Sequence, residues 1–119
     1  MKSLSLEFIL FIIIFKISNN NEITIKIRGN GDQKILSDNF ENELPDDIII
    51  NGNIESYTNN VINLVEEYNN VTLRWNENQL TNCKNMFRGL TNIIEFNFSK
   101  FDCSKIIDMS TLCPCLISI

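Results

Sequence analysis

Met86-Phe87-Arg88-Gly89-Leu90-Thr91-Asn92-Ile93-Ile94-Glu95-Phe96-Asn97-Phe98-Ser99-Lys100-Phe101-Asp102-Cys103-Ser104-Lys105-Ile106-Ile107-Asp108-Met109-Ser110 is the stretch on which the reading of this chain turns. Slide the sequence on itself by 26 residues. Leu80 then falls on Ile106, Cys83 on Met109, Met86 on Leu112, Leu90 on Leu116 and Ile93 on Ile119. Every one of these apolar positions meets an apolar partner. Asn82 falls on Asp108, and Trp75 on Phe101. The strands Val71-Thr72-Leu73 and Phe96-Asn97-Phe98 match at a shift of 25. A recurring unit of this length reads as one short strand, one turn and one compact helical turn. Phe96 and Phe98 would point inward, with Asn97 and Ser99 in solvent. Leu80, Cys83, Met86 and Phe87, at spacing three and four, would face the same core. One such coil cannot bury its own apolar face, so coils are expected to stack.

Upstream, Ile23-Thr24-Ile25-Lys26-Ile27-Arg28 alternates strictly and predicts a half-buried strand ending at the turn Gly29-Asn30-Gly31-Asp32. Lys34-Ile35-Leu36 is a second short strand candidate. Leu44-Pro45-Asp46-Asp47 is a turn, followed by the strand Ile48-Ile49-Ile50 and the hairpin signal Asn51-Gly52. Val61, Ile62, Leu64, Val65 and Tyr68 fit either a helical stripe capped by Asn60 or a strand. The preferred reading is a hairpin: a strand over Asn63-Leu64-Val65-Glu66, a turn at Tyr68-Asn69-Asn70, and a strand over Val71-Thr72-Leu73-Arg74-Trp75.

The 119 residues are enough for one small domain. A net charge of −5 argues against binding a nucleic-acid backbone, which calls for a basic patch. The chain has no histidine, which removes imidazole acid–base catalysis, histidine-activated nucleophiles and histidine-ligated zinc. Alanine is also absent, while Ile (20) and Asn (19) make up about a third of the chain. That points to coding bias and weakens purely compositional arguments.

The N-terminus has its own logic. Lys2 precedes the apolar run Phe8-Ile9-Leu10-Phe11-Ile12-Ile13-Ile14-Phe15, and Ser18-Asn19-Asn20-Asn21 closes it. A basic start, a short apolar core and a polar exit are the layout of a secretory signal peptide. The run falls short of the ~20 residues a span needs. Residues 1–18 are therefore expected to be a signal peptide. An anchor through residues 4–17 is the alternative, and it is the only membrane association expected.

Residues 86–110 closely resemble the 26-residue repeat of BspA-like surface proteins: M-F, a strand, then S-x-F-D-x-S-x-V-x-D-M-S. These are leucine-rich-repeat relatives, and the likeness spans Val71 to Met109. It implies a β-rich (α/β), leucine-rich-repeat-like solenoid. Residues 19–70 would be an N-terminal β cap, and 71–119 one full and one partial coil. Ile119 falls three residues before the position matching Phe96, so the second coil lacks its strand and the chain is expected to be truncated. The family also implies a secreted or cell-surface role in recognition or adhesion, without enzymatic activity and with an unknown protein or glycan ligand. The rival expectation is a small secreted β-domain effector or inhibitor.

No catalytic, cofactor-binding or metal-ligating residue is nominated. The cysteines Cys83, Cys103, Cys113 and Cys115 contain no C-x-x-C pair, and secretion would permit them to form disulfides. Small buried hydrophobes are the preferred reading for Cys83 and Cys113. Asn70-Val71-Thr72 and Asn97-Phe98-Ser99 are N-glycosylation sequons. Asp46-Asp47 and Glu66-Glu67 lack the spaced oxygen ligands of a calcium loop and read as solvated acids.

Overall fold

The computed structural model describes residues 20–76 and 80–112, so the expectations for residues 1–18 and for Cys113 and Cys115 lie outside the described residues. Among the described residues seven strands run in the order β1 (Asn21–Arg28), β2 (Gly31–Lys34), β3 (Asp47–Ile50), β4 (Asn53–Glu55), β5 (Val61–Leu64), β6 (Tyr68–Trp75) and β7 (Ile93–Asn97). They form a five-stranded sheet, β4-β3-β6-β1-β7, and a two-stranded sheet, β2-β5. All strand pairs are antiparallel. Among the described residues no helix is long and apolar enough to cross a membrane.

β1 lies inside the five-stranded sheet, between β6 and β7. Its alternation places Ile23, Ile25 and Ile27 on one face with no exposed surface. β6 lies along its whole length, from Asn21 opposite Trp75 to Arg28 opposite Tyr68. On the other edge β7 pairs Asn97 with Thr24, Phe96 with Ile25 and Glu95 with Lys26, then slips at a bulge before Ile27. Val71, Leu73 and Trp75 of β6 and Ile48 of β3 extend the buried face. Ile62 and Leu64 of β5 cover part of it, as do Ile35, Leu36 and Phe40. The loop after β6 adds Leu80, Cys83, Met86 and Phe87, none more than 3% exposed. These four are the inward stripe expected from their spacing, and Met86 and Phe87 lie in the turn segment 84–89. β3 and β4 are joined by Asn51 and Gly52, both at positive φ (49° and 90°), the conformation of a primed hairpin turn.

The leucine-rich-repeat-like solenoid with an N-terminal β cap is not what the chain forms. In a stack of coils, β7 would lie beside β6. Here β1 is inserted between them, antiparallel to both. A strand from the expected cap thus lies inside the sheet, between β6 and β7, and among the described residues no helix accompanies the strands. The physical reason is that β1 has a wholly apolar face and two open backbone edges. Pairing both edges buries more of it than capping one end of a stack would. Among the described residues the 26-residue offset survives only between loops. Asn82 bridges Asp108 in parallel, and the N–H groups of Cys83, Asn85 and Phe87 donate to Asp108, Ser110 and Leu112.

The expected hairpin between β5 and β6 is also corrected. β5 pairs with β2, and β6 pairs with β1 and β3. Asn69 is not in a turn. It is a strand residue, 1% exposed. Its Nδ2 donates to the Glu66 carbonyl (2.8 Å) and, at 3.4 Å, to the Gly29 carbonyl, while its Oδ1 accepts from Asn51 Nδ2 (3.0 Å). A carboxamide can serve a buried chain crossing as readily as a turn.

Candidate functional site

The two faces of the five-stranded sheet differ in chemistry. The inner face is core. On the outer face, cross-strand partners form rows. One row runs Ile54, Ile49, Thr72, Thr24, Asn97 across all five strands. The Thr24 and Thr72 hydroxyls share a hydrogen bond at 3.0 Å. A second row places Arg74 between Glu22 (2.8 Å) and Asp47 (3.8 Å). A third holds Asn70 beside Lys26, with Glu95 beyond it at 4.0 Å. At one end Lys26 and Arg28 approach the Tyr68 ring, about 6 Å from its centroid.

Where the β3–β4 hairpin approaches the end of β5, a groove of about 500 Å³ opens to solvent. Ile50, Ile62 and Val65 supply its apolar surface, and Val65 is 78% exposed. Asn51, Asn53, Asn63 and Ser56 supply amides and a hydroxyl, and Glu55 and Glu66 supply carboxylates. No lining residue is basic. Asn63 is held by donating to Asp32 Oδ1 (3.0 Å). Asn51 is held by the Asn70 N–H, which donates to its Oδ1 at 2.9 Å. Glu66 was read from the sequence only as half of an acidic pair. The groove itself carried no sequence signal, because it forms where the β3–β4 hairpin of one sheet meets β5 of the other, a juxtaposition set by tertiary packing.

The sequence-nominated residues scatter. Asn70 and Asn97 are both exposed and both on the outer face. The Asn97 carboxamide oxygen accepts the Ser99 N–H (2.9 Å). Cys83 is buried and Cys103 exposed, and both are free thiols. Burial first, then the nearby Cys103 and Glu43, pushes the Cys83 thiol up to about 12. Asp46 accepts the Asn76 N–H (2.8 Å), and Asp47 faces Arg74, so this acidic pair serves local structure. Among the described residues no group of three His, Cys, Asp or Glu side chains converges on a point that could hold a metal ion. Asx turns recur along the second half: Asn82, Asp102 and Asp108 each accept the N–H two residues on. That is the structural content of the D-x-S pattern.

No family model, no curated protein and no solved structure matches this chain.

Proposed function

We propose that this chain is a small secreted or cell-surface β domain that acts by recognition, without catalysis, and that its groove takes a cationic, partly apolar segment of a protein partner. The observation that carries the reading is the groove: apolar side chains of Ile50, Ile62 and Val65 beside the carboxylates of Glu55 and Glu66, with no basic residue lining it. Charge of one sign around an apolar cleft favours a partner of the opposite sign. The chain's net charge of −5 adds long-range attraction of the same sense. The layout of residues 1–18 and the likeness of residues 86–110 to a surface-protein repeat support the extracellular assignment. One core shared by both sheets favours a self-contained effector- or inhibitor-like domain over a repeat adhesin.

The test is calorimetric titration of the folded chain with a synthetic peptide of alternating Lys and Leu. Binding should weaken with added salt and fall about tenfold, ~1.4 kcal/mol, in the double variant Glu55→Lys/Glu66→Lys. Equal binding by the variant and the wild type would overturn the groove assignment. For the extracellular assignment, the native chain should appear in culture medium. Retention of the full-length product in the cytosol would overturn it.

A further inference from the structure

Asn70 and Asn97 stand 27 positions apart in sequence, yet the sheet brings them to one surface. Asn70 is paired with Lys26 and Asn97 with Thr24. Lys26 and Thr24 are two residues apart on β1, so their side chains leave the same face, and their cross-strand partners leave with them. Two strand spacings across and two residues along put the asparagines roughly 12 Å apart. The remaining described hydroxyl or amide neighbours in the rows between them are Thr24 and Thr72, which bond to each other. The Asn70 carboxamide makes no hydrogen bond among the described residues. Asn97 uses only its oxygen, toward the Ser99 N–H, so its Nδ2 is also available.

We propose that this outer face is a glycan-bearing face, with N-linked oligosaccharides on both Asn70 and Asn97. In each transfer the carboxamide Nδ2 attacks the anomeric carbon of a lipid-pyrophosphate-linked oligosaccharide. The C–N bond forms as the bond from that carbon to the pyrophosphate oxygen breaks. One Nδ2 proton is released, and the lipid pyrophosphate leaves. The Thr72 and Ser99 hydroxyls complete the two sequons. Two consequences follow from the placement. β7 is a terminal strand of the five-stranded sheet, and a glycan at Asn97 would obstruct pairing of its backbone edge with another chain. The groove opens on the inner side of the β3–β4 hairpin, and its lining residue Asn51 bonds to the Asn70 backbone, but the side chains of Asn70 and Asn97 leave the opposite face of the sheet, so glycans there would project away from it.

The inference rests on the extracellular assignment, and the experiment separates the two. The full chain is expressed in eukaryotic cells behind its native N-terminus and, in parallel, behind an established signal sequence. Wild type, Asn70→Gln, Asn97→Gln and the double variant are compared by mobility before and after enzymatic deglycosylation. The Asn-to-Asp conversion left by the enzyme is mapped by mass spectrometry. Both asparagines should be occupied: each single variant should lose one mobility step and the double variant two. Delivery only behind the established signal, with both sites occupied, would refute native secretion and support the glycan-bearing face. Secretion by either route with one or neither site occupied would overturn the inference. Circular dichroism of the variants, expected to match wild type because both side chains are exposed, excludes misfolding as the cause of a lost step.

Discussion

Replacing Asn69 by valine should destabilise the domain severely, although valine is the better strand former. The side chain is 1% exposed in β6 and makes three contacts: to the carbonyls of Glu66 and Gly29, and from the amide of Asn51. The Gly29 contact is long at 3.4 Å, so two good bonds carry the effect. Each bond contributes about 1 kcal/mol net, and stranding a buried carbonyl costs about 1–3 kcal/mol more. The gain in strand propensity and apolar burial offsets at most about 1 kcal/mol. The expected net loss is about 2–4 kcal/mol, which lowers the melting midpoint of a domain this size by about 10–30 °C. Asn70→Val, one residue along on the exposed face, is the matched control and should move the midpoint little. The assay is thermal melting followed by circular dichroism, with urea midpoints as a check. The variant Asn69→Gly sharpens the test: it would be harmless in a turn and is expected to be at least as damaging as valine in a strand. Unchanged midpoints for both Asn69 variants would refute the crossing-point role and restore the turn.

Met86→Asp should abolish folding, because burying a carboxylate among Cys83, Phe87 and the sheet costs several kcal/mol, comparable to the about 5–15 kcal/mol that hold such a domain together. A cooperative melt near that of the wild type would refute the burial. Native-state alkylation should label Cys103 and spare Cys83 until denaturant is added, as read by peptide mapping. Because burial raises the folded Cys83 thiol from its usual 9.0 to about 12, its contribution to stability is complete below pH 9.0 and declines as pH rises toward 12. Cys83→Val should remove that part of the alkaline slope in urea midpoints. In acid the sign reverses. Asp38 is held below its usual 3.8 by hydrogen bonds from Lys34 and Asn60, Asp102 by those from Ser104, and Asp108 by those from Ser110. Their contribution is present above pH 3.8 and is lost as pH falls through the depressed values, so Asp108→Asn should flatten the acid limb.

Local signals in the sequence were sound where a side chain's own neighbours decide the outcome. The alternation at Ile23, Ile25 and Ile27 marked a strand and its buried face. The spacing of Leu80, Cys83, Met86 and Phe87 marked an inward stripe. Asn51-Gly52 marked a hairpin turn, where a left-handed pair is needed and only small or amide residues take it readily. The outward direction of Asn97 and Ser99 was equally plain. Only the tertiary structure decided which strands are neighbours. Alternation says which face of a strand is buried and nothing about who lies along its edges, because backbone N–H and C=O groups are the same at every residue. Val71 to Trp75 could equally have been the first strand of a stack or the flank of β1, and the chain placed β1 there. The 26-residue register was real between loops at Asn82 and Asp108, yet it did not extend to the strands. Asn69 misled for the same reason: a carboxamide that suits a turn also suits a buried crossing, and the carbonyls of Gly29 and Glu66 are brought to it only by the fold. The groove and the shared face of Asn70 and Asn97 are likewise products of strand order, which long-range pairing determines and no window of neighbouring residues encodes.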